Sequence, residues 1–371
     1  LTSIMIPFLV FSLAAIGLNI LTGFCGQLSL GTGAFMGVGA YAAYKLTSIF
    51  PDANVIVMVL VSGVFSAAIG AVFGLPSLRI KGLYLAVTTL AAQFFLQWAF
   101  VRVPWLFNYN ASGAIEVPQR TLFGLPITGA SATPETRYFV CLGLVVVLTW
   151  FASNLVHGKL GRSWMAVRDM DIAAELMGIK LLNAKLTAFA VSSYFAGVAG
   201  AMMIFLWYGG GEANDVFTIR LSFTILFMVI IGGLGSLIGS FFGAAFLSAL
   251  PTALKFGLPA LGVPIGGATA EHVTFMLVGA LIIVFLIVEP HGLAQLLSVI
   301  GQRGGNQARL QADLSAYRGA LPPLWQPPGP YLQRRPAADR QAALPEWRGP
   351  GLPARLVAHP PDAESVRPAR F

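Results

Sequence analysis

The side chains of this sequence that could bind a ligand are uncharged and polar, and they lie within apolar, glycine-rich segments. The segment 17–46 carries seven glycines together with amide and hydroxyl side chains. Such groups bind small polar solutes without requiring charge, and glycine permits the irregular backbone that lines such a path. A broken helix lining a solute pathway and ordinary close packing by small residues both stay open as interpretations. The candidate pathway residues here are Gly23, Gly26, Gln27, Ser29 and Thr32.

Two further sets of residues join this group. Thr89 and Gln93, with Gln97, fall on one face of a predicted helix, and polar residues placed so face a helix bundle or a cavity. The glycines at 232, 233 and 235 interrupt an apolar run, which makes them hinge candidates: Gly232, Gly233 and Gly235. Glycines at 235, 239 and 243 recur every four residues, which favours tight helix crossing over contact with a solute.

A polar segment at 158–185 has a different character. We predict a short helix over Ala166–Met177, with Met165, Ile172 and Leu176 on its apolar side. A helix that lies on a membrane surface carries mainly Lys and Arg on its polar side. Acids nearly balance bases here, and small residues permit close approach, so the pattern favours docking of a partner protein.

Enzyme, cofactor and metal motifs are missing from the sequence. It contains no GxxxxGK[ST], HExxH or GxSxG pattern, and its four histidines lack ligand spacing. Cys25 and Cys141 are predicted to be packing residues. We therefore expect no enzymatic activity, no cofactor and no metal. No ionisable residue lies at the centre of a predicted span, which argues against a proton relay.

The composition shows what must position these residues. Apolar residues make up 56% of the 371 residues and charged residues only 10%, against about a quarter charged in soluble proteins. This excludes a water-soluble globule, and lipid must surround much of the chain. Most of the net charge of +8 comes from residues 302–371, which hold ten arginines, five acids and twelve of the 23 prolines. The charge therefore does not indicate nucleic-acid binding.

Apolar runs define an all-α polytopic transmembrane helical bundle, with about eight to ten spans and broken or re-entrant glycine-rich segments. The runs lie at 4–22, 30–49, 54–76, 83–101, 137–156, 186–207, 221–254 and 272–289. As one helix the seventh would measure about 51 Å, against a hydrocarbon core of about 30 Å. We predict that it splits at the glycines. Basic loops at 77–82 and 157–185 are then cytoplasmic, whereas 102–136 and 208–220 are external.

The sequence also allows predictions about the start and the end of the chain. The sequence begins at Leu1 without methionine, which favours a truncated or processed start and leaves open whether a further span lies upstream. Residues 1–301 form the predicted transmembrane domain. Residues 302–371 are predicted to be a disordered Pro/Arg-rich tail, either a shifted reading frame or unrelated extension, or a native cytoplasmic tail.

Four segments in this order resemble the permease subunits of bacterial branched-chain amino acid ABC transporters, particularly the second of the two paralogous permeases. They are GLNILTGFCGQLSLGTGAFMGVGAYAA, KGLYLAVTTLAA, GRSWMAVRDMDIAAELMGI and ILFMVIIGGLGSLIGSFFGAA, and the likeness spans 7–297. The resemblance implies a membrane subunit that pairs with a homologous permease, two cytoplasmic ATPases and a periplasmic substrate-binding protein. ATP would be used by the partners. It also implies an ATPase-coupling loop: Arg168, Asp169, Ala173, Ala174, Glu175 and Gly178.

The sequence thus predicts a non-enzymatic importer subunit of the bacterial inner membrane that moves branched-chain or other hydrophobic amino acids by alternating access. One alternative keeps the architecture but transports urea or short-chain amides. Another is a secondary transporter or channel that needs no ATPase. The last alternative is a membrane protein with a purely structural role.

Overall fold

The computed structural model describes residues 4–77, 84–110, 114–122, 125–129 and 132–260, with the isolated positions 276, 279, 280 and 283. All of them belong to the first of two units into which the chain divides, Leu1–Gly304. The predictions for the loop at 78–82, for nearly all of the run 272–289 and for the tail lie outside the described residues.

Helices dominate the described part of the chain, which confirms the all-α membrane fold. Six of them are long and apolar enough to cross a membrane. In chain order the helices are α1 (Met5–Asn19), α2 (Thr32–Ile49), α3 (Val55–Ser77), α4 (Tyr84–Arg102), α5 (Pro134–His157), α6 (Lys159–Asp169), α7 (Asp171–Leu176), α8 (Leu181–Met202), α9 (Ala213–Val216), α10 (Ile219–Gly232) and α11 (Leu237–Ala260). Two π-helical segments extend α1 and α8: Ile20–Phe24 and Met203–Tyr208.

The centre of the bundle is formed by α1, α2 and α8. About four fifths of the most apolar stretches of α1 and α8 are buried, 78% and 83%, compared with 33% for α5. Small residues allow this close packing, because a Cβ atom at Gly39 would meet Gly197 O and one at Gly200 would meet Met36 O. The backbones of α2 and α8 therefore touch directly, the contact that small residues permit within membranes.

The first glycine-rich segment breaks the chain inside the bundle. The chain leaves the π-helical segment at Cys25, runs without regular structure to Gly31, and re-enters a helix at Thr32. Helix α2 is not one of the six helices that are long and apolar enough to cross a membrane, although 30–49 was predicted as a span, because its glycine and polar residues lower its apolar content. The prediction of a broken segment is confirmed.

The second glycine-rich segment divides the long apolar run, as its length required. Helix α10 ends at Gly232 and α11 begins at Leu237, so the two pack against each other as a hairpin. A Cβ atom at Gly232 would collide with Gly239 O, which confirms close helix packing there. Gly235 lies in the turn rather than on the helical face with Gly239, so its predicted place on that face was wrong.

The helix predicted over Ala166–Met177 is two helices. Met170 adopts an extended conformation, with φ −154° and ψ 103°, between α6 and α7. Asp171 opens α7 and accepts a hydrogen bond from Lys185 Nζ of α8 at 2.9 Å. This ion pair holds α7 against α8.

Two pairs of short strands lie at the end of the bundle that is opposite to α6 and α7. The first pair, β1 (Ile115–Glu116) and β4 (Gly210–Gly211), is antiparallel, and β2 (Thr121–Leu122) pairs with β3 (Leu125–Pro126). The β1–β4 pair joins the segments 102–136 and 208–220 at one end of the molecule. Both segments were predicted to share one side of the membrane, and this pairing agrees.

Candidate functional site

Three buried polar side chains cap the N-terminus of α2, and we call this set the α2 cap: Thr89, Gln93 and Ser222. Gln93 Oε1 accepts hydrogen bonds from Ala34 N at 2.7 Å and from Ser222 Oγ at 2.9 Å. Ser222 Oγ in turn accepts from Gly33 N at 2.8 Å. A helix that starts inside a membrane protein must satisfy its first N–H groups internally. The α2 cap does this with side chains from α4 and α10.

The hydrogen bonds of Thr89 and Gln93 show that both side chains bind backbone groups of neighbouring segments. Thr89 Oγ1 accepts from Leu30 N at 3.0 Å, and Gln93 Nε2 donates to Phe217 O at 2.9 Å. Both side chains are fully buried, so the prediction that this polar face points into the bundle is confirmed. Their polar atoms are occupied by the protein's own backbone. Thr32, also buried, begins the helix that they cap.

A second cluster joins the two helix breaks, and we call it the junction: Asn19, Gly23, Gly26, Gly233 and Gly235. Asn19 Nδ2 donates to Ser236 O and to Ser240 Oγ, both at 2.8 Å, and lies 3.4 Å from Gly233 O. Its Oδ1 accepts from Gly235 N at 2.9 Å. One amide thus satisfies backbone groups on both sides of the turn between α10 and α11.

Glycine is required at the junction by backbone conformation and by space. Gly26, Gly233 and Gly235 have φ values of +71°, +112° and +79°, which favour glycine. A Cβ atom at Gly23 would collide with Asn19 Oδ1 and with Gly235 N. The structure therefore brings together the predicted hinge candidates of both breaks, with Gly232 at the end of α10 beside them.

Arg168 reaches the junction from the segment 158–180, which we call the coupling segment because the family resemblance implies an ATPase-coupling loop there. Its Nη1 donates to Gly23 O at 2.9 Å, and a Cβ atom at Gly235 would lie 3.4 Å from the same nitrogen. Nε and Nη2 both contact Asp169 Oδ1 at 2.9 Å. The coupling segment and both helix breaks thus lie at one end of the bundle. The side chain of Arg168 points toward the bundle.

Apolar side chains of the coupling segment point in two directions, toward the bundle and away from it. Trp164, Val167 and Ala174 are buried, and Trp164 Nε1 donates to Thr187 Oγ1 at 3.1 Å. Ala174 therefore packs inside this subunit. The predicted single apolar side was wrong, because Met165 packs against the core whereas other apolar side chains point away from it. We call this outward set the exposed patch: Met170, Ile172, Leu176 and Met177, whose exposed fractions are 69%, 71%, 85% and 69%.

Glu175, Gly178 and Ala173 lie around the exposed patch. Glu175 and Gly178 are exposed, and Ala173 is half-buried. Gly178 has φ +85° and ends α7, with its N–H bonded to Glu175 O at 2.9 Å. Glycine is favoured at this position because left-handed backbone ends a helix there.

Buried oxygens without hydrogen-bond partners lie at the first break. Gln27 Oε1 and Thr22 Oγ1 are enclosed, and neither is bonded within the part of the chain described. Ser29 differs, since its Oγ accepts from Gly31 N at 3.4 Å. Unsatisfied buried polar atoms are rare in proteins and often mark functional positions.

Some residues of these sites were not predicted as site residues. Asn19 could have been found, because it is an amide inside an apolar run four residues before Gly23. Ser222 carries no comparable signal, since a lone serine in an apolar helix is common. Cys25 and Cys141 are buried free thiols, which agrees with their predicted packing role. Within the described residues no group of three or more His, Cys, Asp or Glu side chains could hold a metal ion.

Comparisons with known proteins identify the family. The model of the branched-chain amino acid transport system permease component matches residues 1–286. The high-affinity branched-chain amino acid transport system permease protein LivM of Salmonella typhimurium is 29% identical over 328 residues, covering 81% of this chain and 72% of that protein. LivM of Escherichia coli is 32% identical over 251 residues, 62% of this chain and 57% of that protein.

A third relative, a probable branched-chain amino acid transport permease protein LivM of Methanocaldococcus jannaschii, is 24% identical over 64% of this chain and 67% of its own length. No solved structure was found to match. These relatives are transport permeases, and six helices of the described chain can cross a membrane. The chain is therefore a multi-pass membrane protein that belongs to the branched-chain amino acid transport permease family.

Proposed function

We propose that the chain is a transmembrane subunit of an ATP-driven importer of branched-chain amino acids in a bacterial inner membrane. It forms the translocation pathway with a homologous permease, is coupled to two cytoplasmic ATPases, and receives its solute from a periplasmic binding protein. The observation that carries this proposal is an exposed apolar patch placed beside a junction of two broken helices. The printed names of the relatives support the class of substrate.

The exposed patch has the properties of a protein docking surface. Its side chains protrude from a short helix that the Asp171–Lys185 ion pair holds against α8. Burial of large apolar side chains yields about 25 cal/mol per Å², so a partner that covers the patch is bound firmly. Glu175 and the left-handed turn at Gly178 border it, and with Ala173 they complete the ATPase contact.

The solute path is assigned to the first break and its surroundings. Gln27 Oε1 offers an unused acceptor, and Ser29 lies two residues further along the same irregular segment. Gly23, Gly26, Gly233 and Gly235 permit the backbone rotations that alternating access requires, because ATPase closure must favour one arrangement of the breaks over another. The α2 cap keeps α2 fixed while the junction moves.

The test uses the complete transporter in mild detergent and in proteoliposomes. Wild-type chain is expected to copurify with a second permease and two ATPases, and to support ATP-dependent uptake of radiolabelled leucine. Leu176→Asp is expected to reduce the copurified ATPase about tenfold, because a carboxylate in an apolar contact is costly to desolvate. Leu176→Met, which preserves apolar area, is the matched control.

Three outcomes would contradict parts of the proposal. Leucine uptake that persists without ATPases would identify a secondary transporter or channel. Uptake of urea or short amides in place of leucine would replace the substrate class and leave the architecture intact. Undiminished ATPase binding by Leu176→Asp would remove the exposed patch as the docking surface.

A further inference from the structure

Arg168 is the one residue of α6 whose side chain is bonded to the backbone of the first helix break. The π-helical segment ends at Phe24, so Gly23 O is among the terminal carbonyls that lack a helical partner. A guanidinium at this position satisfies the carbonyl and complements the negative end of the helix dipole. The contact is therefore a specific one between a charged donor and a helix terminus.

The same side chain packs on the neighbouring glycines. A Cβ atom at Gly26 would lie 2.9 Å from Arg168 Cγ, and a Cβ atom at Gly235 would lie 3.4 Å from Nη1. Any larger residue at Gly26 would push the arginine away. Asp169, whose side chain is 66% exposed, holds the other face of the guanidinium through Nε and Nη2.

The bonds form a continuous connection from the coupling segment into the bundle. Arg168 lies in the last turn of α6, directly before the extended Met170 and the exposed patch. It bonds to Gly23, Gly23 packs on Asn19 and Gly235, and Asn19 bonds to Gly235 and Ser236. Displacement of the coupling segment therefore pulls on both helix breaks through one guanidinium.

We propose that Arg168 is a positioning residue that transmits movement of the coupling segment to the junction, and that it does not contact the ATPase. This rests on the proposed function, since it assumes that an ATPase moves the segment. It changes the expectation for Arg168, which the family resemblance placed in the ATPase contact. Its 38% exposed side chain is engaged by Gly23 and Asp169.

The experiment compares Arg168→Gln, Arg168→Lys and Asp169→Asn in the complete transporter. Two quantities are measured: the ATPase that copurifies, and the ATP hydrolysed per leucine transported in proteoliposomes. Arg168→Gln is expected to retain ATPase binding and to raise ATP hydrolysed per leucine about tenfold, because a charged hydrogen bond at the junction is lost. Arg168→Lys, which keeps a positively charged donor on a long side chain for Gly23 O, is expected to restore most of the coupling. Asp169→Asn, which leaves the bundle intact and weakens only the hold on the guanidinium, is expected to show a smaller rise.

The outcomes separate this proposal from its rivals. Loss of ATPase binding in Arg168→Gln would make Arg168 a docking residue and overturn the proposal. A parallel fall of uptake and hydrolysis at constant ratio in both Arg168→Gln and Asp169→Asn would indicate a purely structural role and overturn it also. Failure of wild-type chain to bind any ATPase would instead refute the proposed function.

Discussion

Gln27 and Gln93 are the same residue type in adjoining parts of the bundle, yet their side-chain oxygens have opposite surroundings. Gln93 Oε1 accepts two hydrogen bonds in the α2 cap, whereas Gln27 Oε1 is buried without a partner. A satisfied buried amide stabilises a fold, and an unsatisfied one costs free energy that function must justify. We therefore assign Gln93 to stability and Gln27 to the solute path.

Replacement of each glutamine by leucine tests this division. Gln93→Leu leaves Ala34 N and the Ser222 hydroxyl without an acceptor, which should cost about 1–3 kcal/mol for each orphaned group. A clear fall in the melting temperature of the detergent-solubilised protein is expected. Gln27→Leu removes an unsatisfied group, so its melting temperature should not fall, but leucine uptake should drop about tenfold. Normal uptake by Gln27→Leu would exclude it from the path.

At the scale of elements, glycine has two distinct roles that the sequence does not separate. Gly39 and Gly200 lie within helices and allow the α2 and α8 backbones to touch. Gly26, Gly233 and Gly235 lie in turns with left-handed backbone and end helices. The first role demands smallness and the second demands positive φ, so alanine is disfavoured by steric contact at the first kind of position and by backbone strain at the second.

The packing role predicts opposite effects of one substitution at two helical glycines. A Cβ atom at Gly200 would lie 2.6 Å from Met36 Cα, so Gly200→Ala must separate α2 from α8 and should cost about 1–3 kcal/mol of stability. Gly143 in α5 has no atom within 4 Å of such a Cβ. Gly143→Ala should stabilise its helix by about 0.5–1 kcal/mol. Thermal melting in detergent measures both, and equal effects would refute the backbone contact.

Features that depend on sequence neighbours were predicted from the sequence, whereas features that depend on residues of another helix were not. The length of the apolar run predicted a division, because a span cannot greatly exceed the hydrocarbon core. The glycines placed that division at Gly232–Gly235. The single helix over Ala166–Met177 was wrong because the chain is extended at Met170, and Asp171 beyond the break pairs with Lys185 of another helix. Local periodicity contains no information about that partner.

At the scale of the whole molecule, the membrane body and the tail differ in composition and in family membership. The family match ends at residue 286, and residues 302–371 combine ten arginines with twelve prolines. Such sequence buries too little apolar surface to offset the entropy of ordering. We propose that transport resides in residues 1–301 alone.

Truncation after Gly301 tests this proposal. The shortened chain should assemble with its partners and support leucine uptake within about twofold of the full chain, since the composition of the tail predicts no packed core. Quantitative membrane expression and uptake by both chains provide the comparison. Loss of uptake at equal expression would assign the tail a role in transport.

The amino-acid sequence alone was sufficient to predict properties that depend on neighbouring residues: a helical membrane body and breaks at clustered glycines. Which side chains and backbone groups meet depends on how the helices pack. Arg168 bonds to a residue 145 positions away, and Asn19 to one 217 positions away. In a membrane each buried amide and helix end needs a partner, but many residues could supply it. Only the packing of distant helices selects which one does.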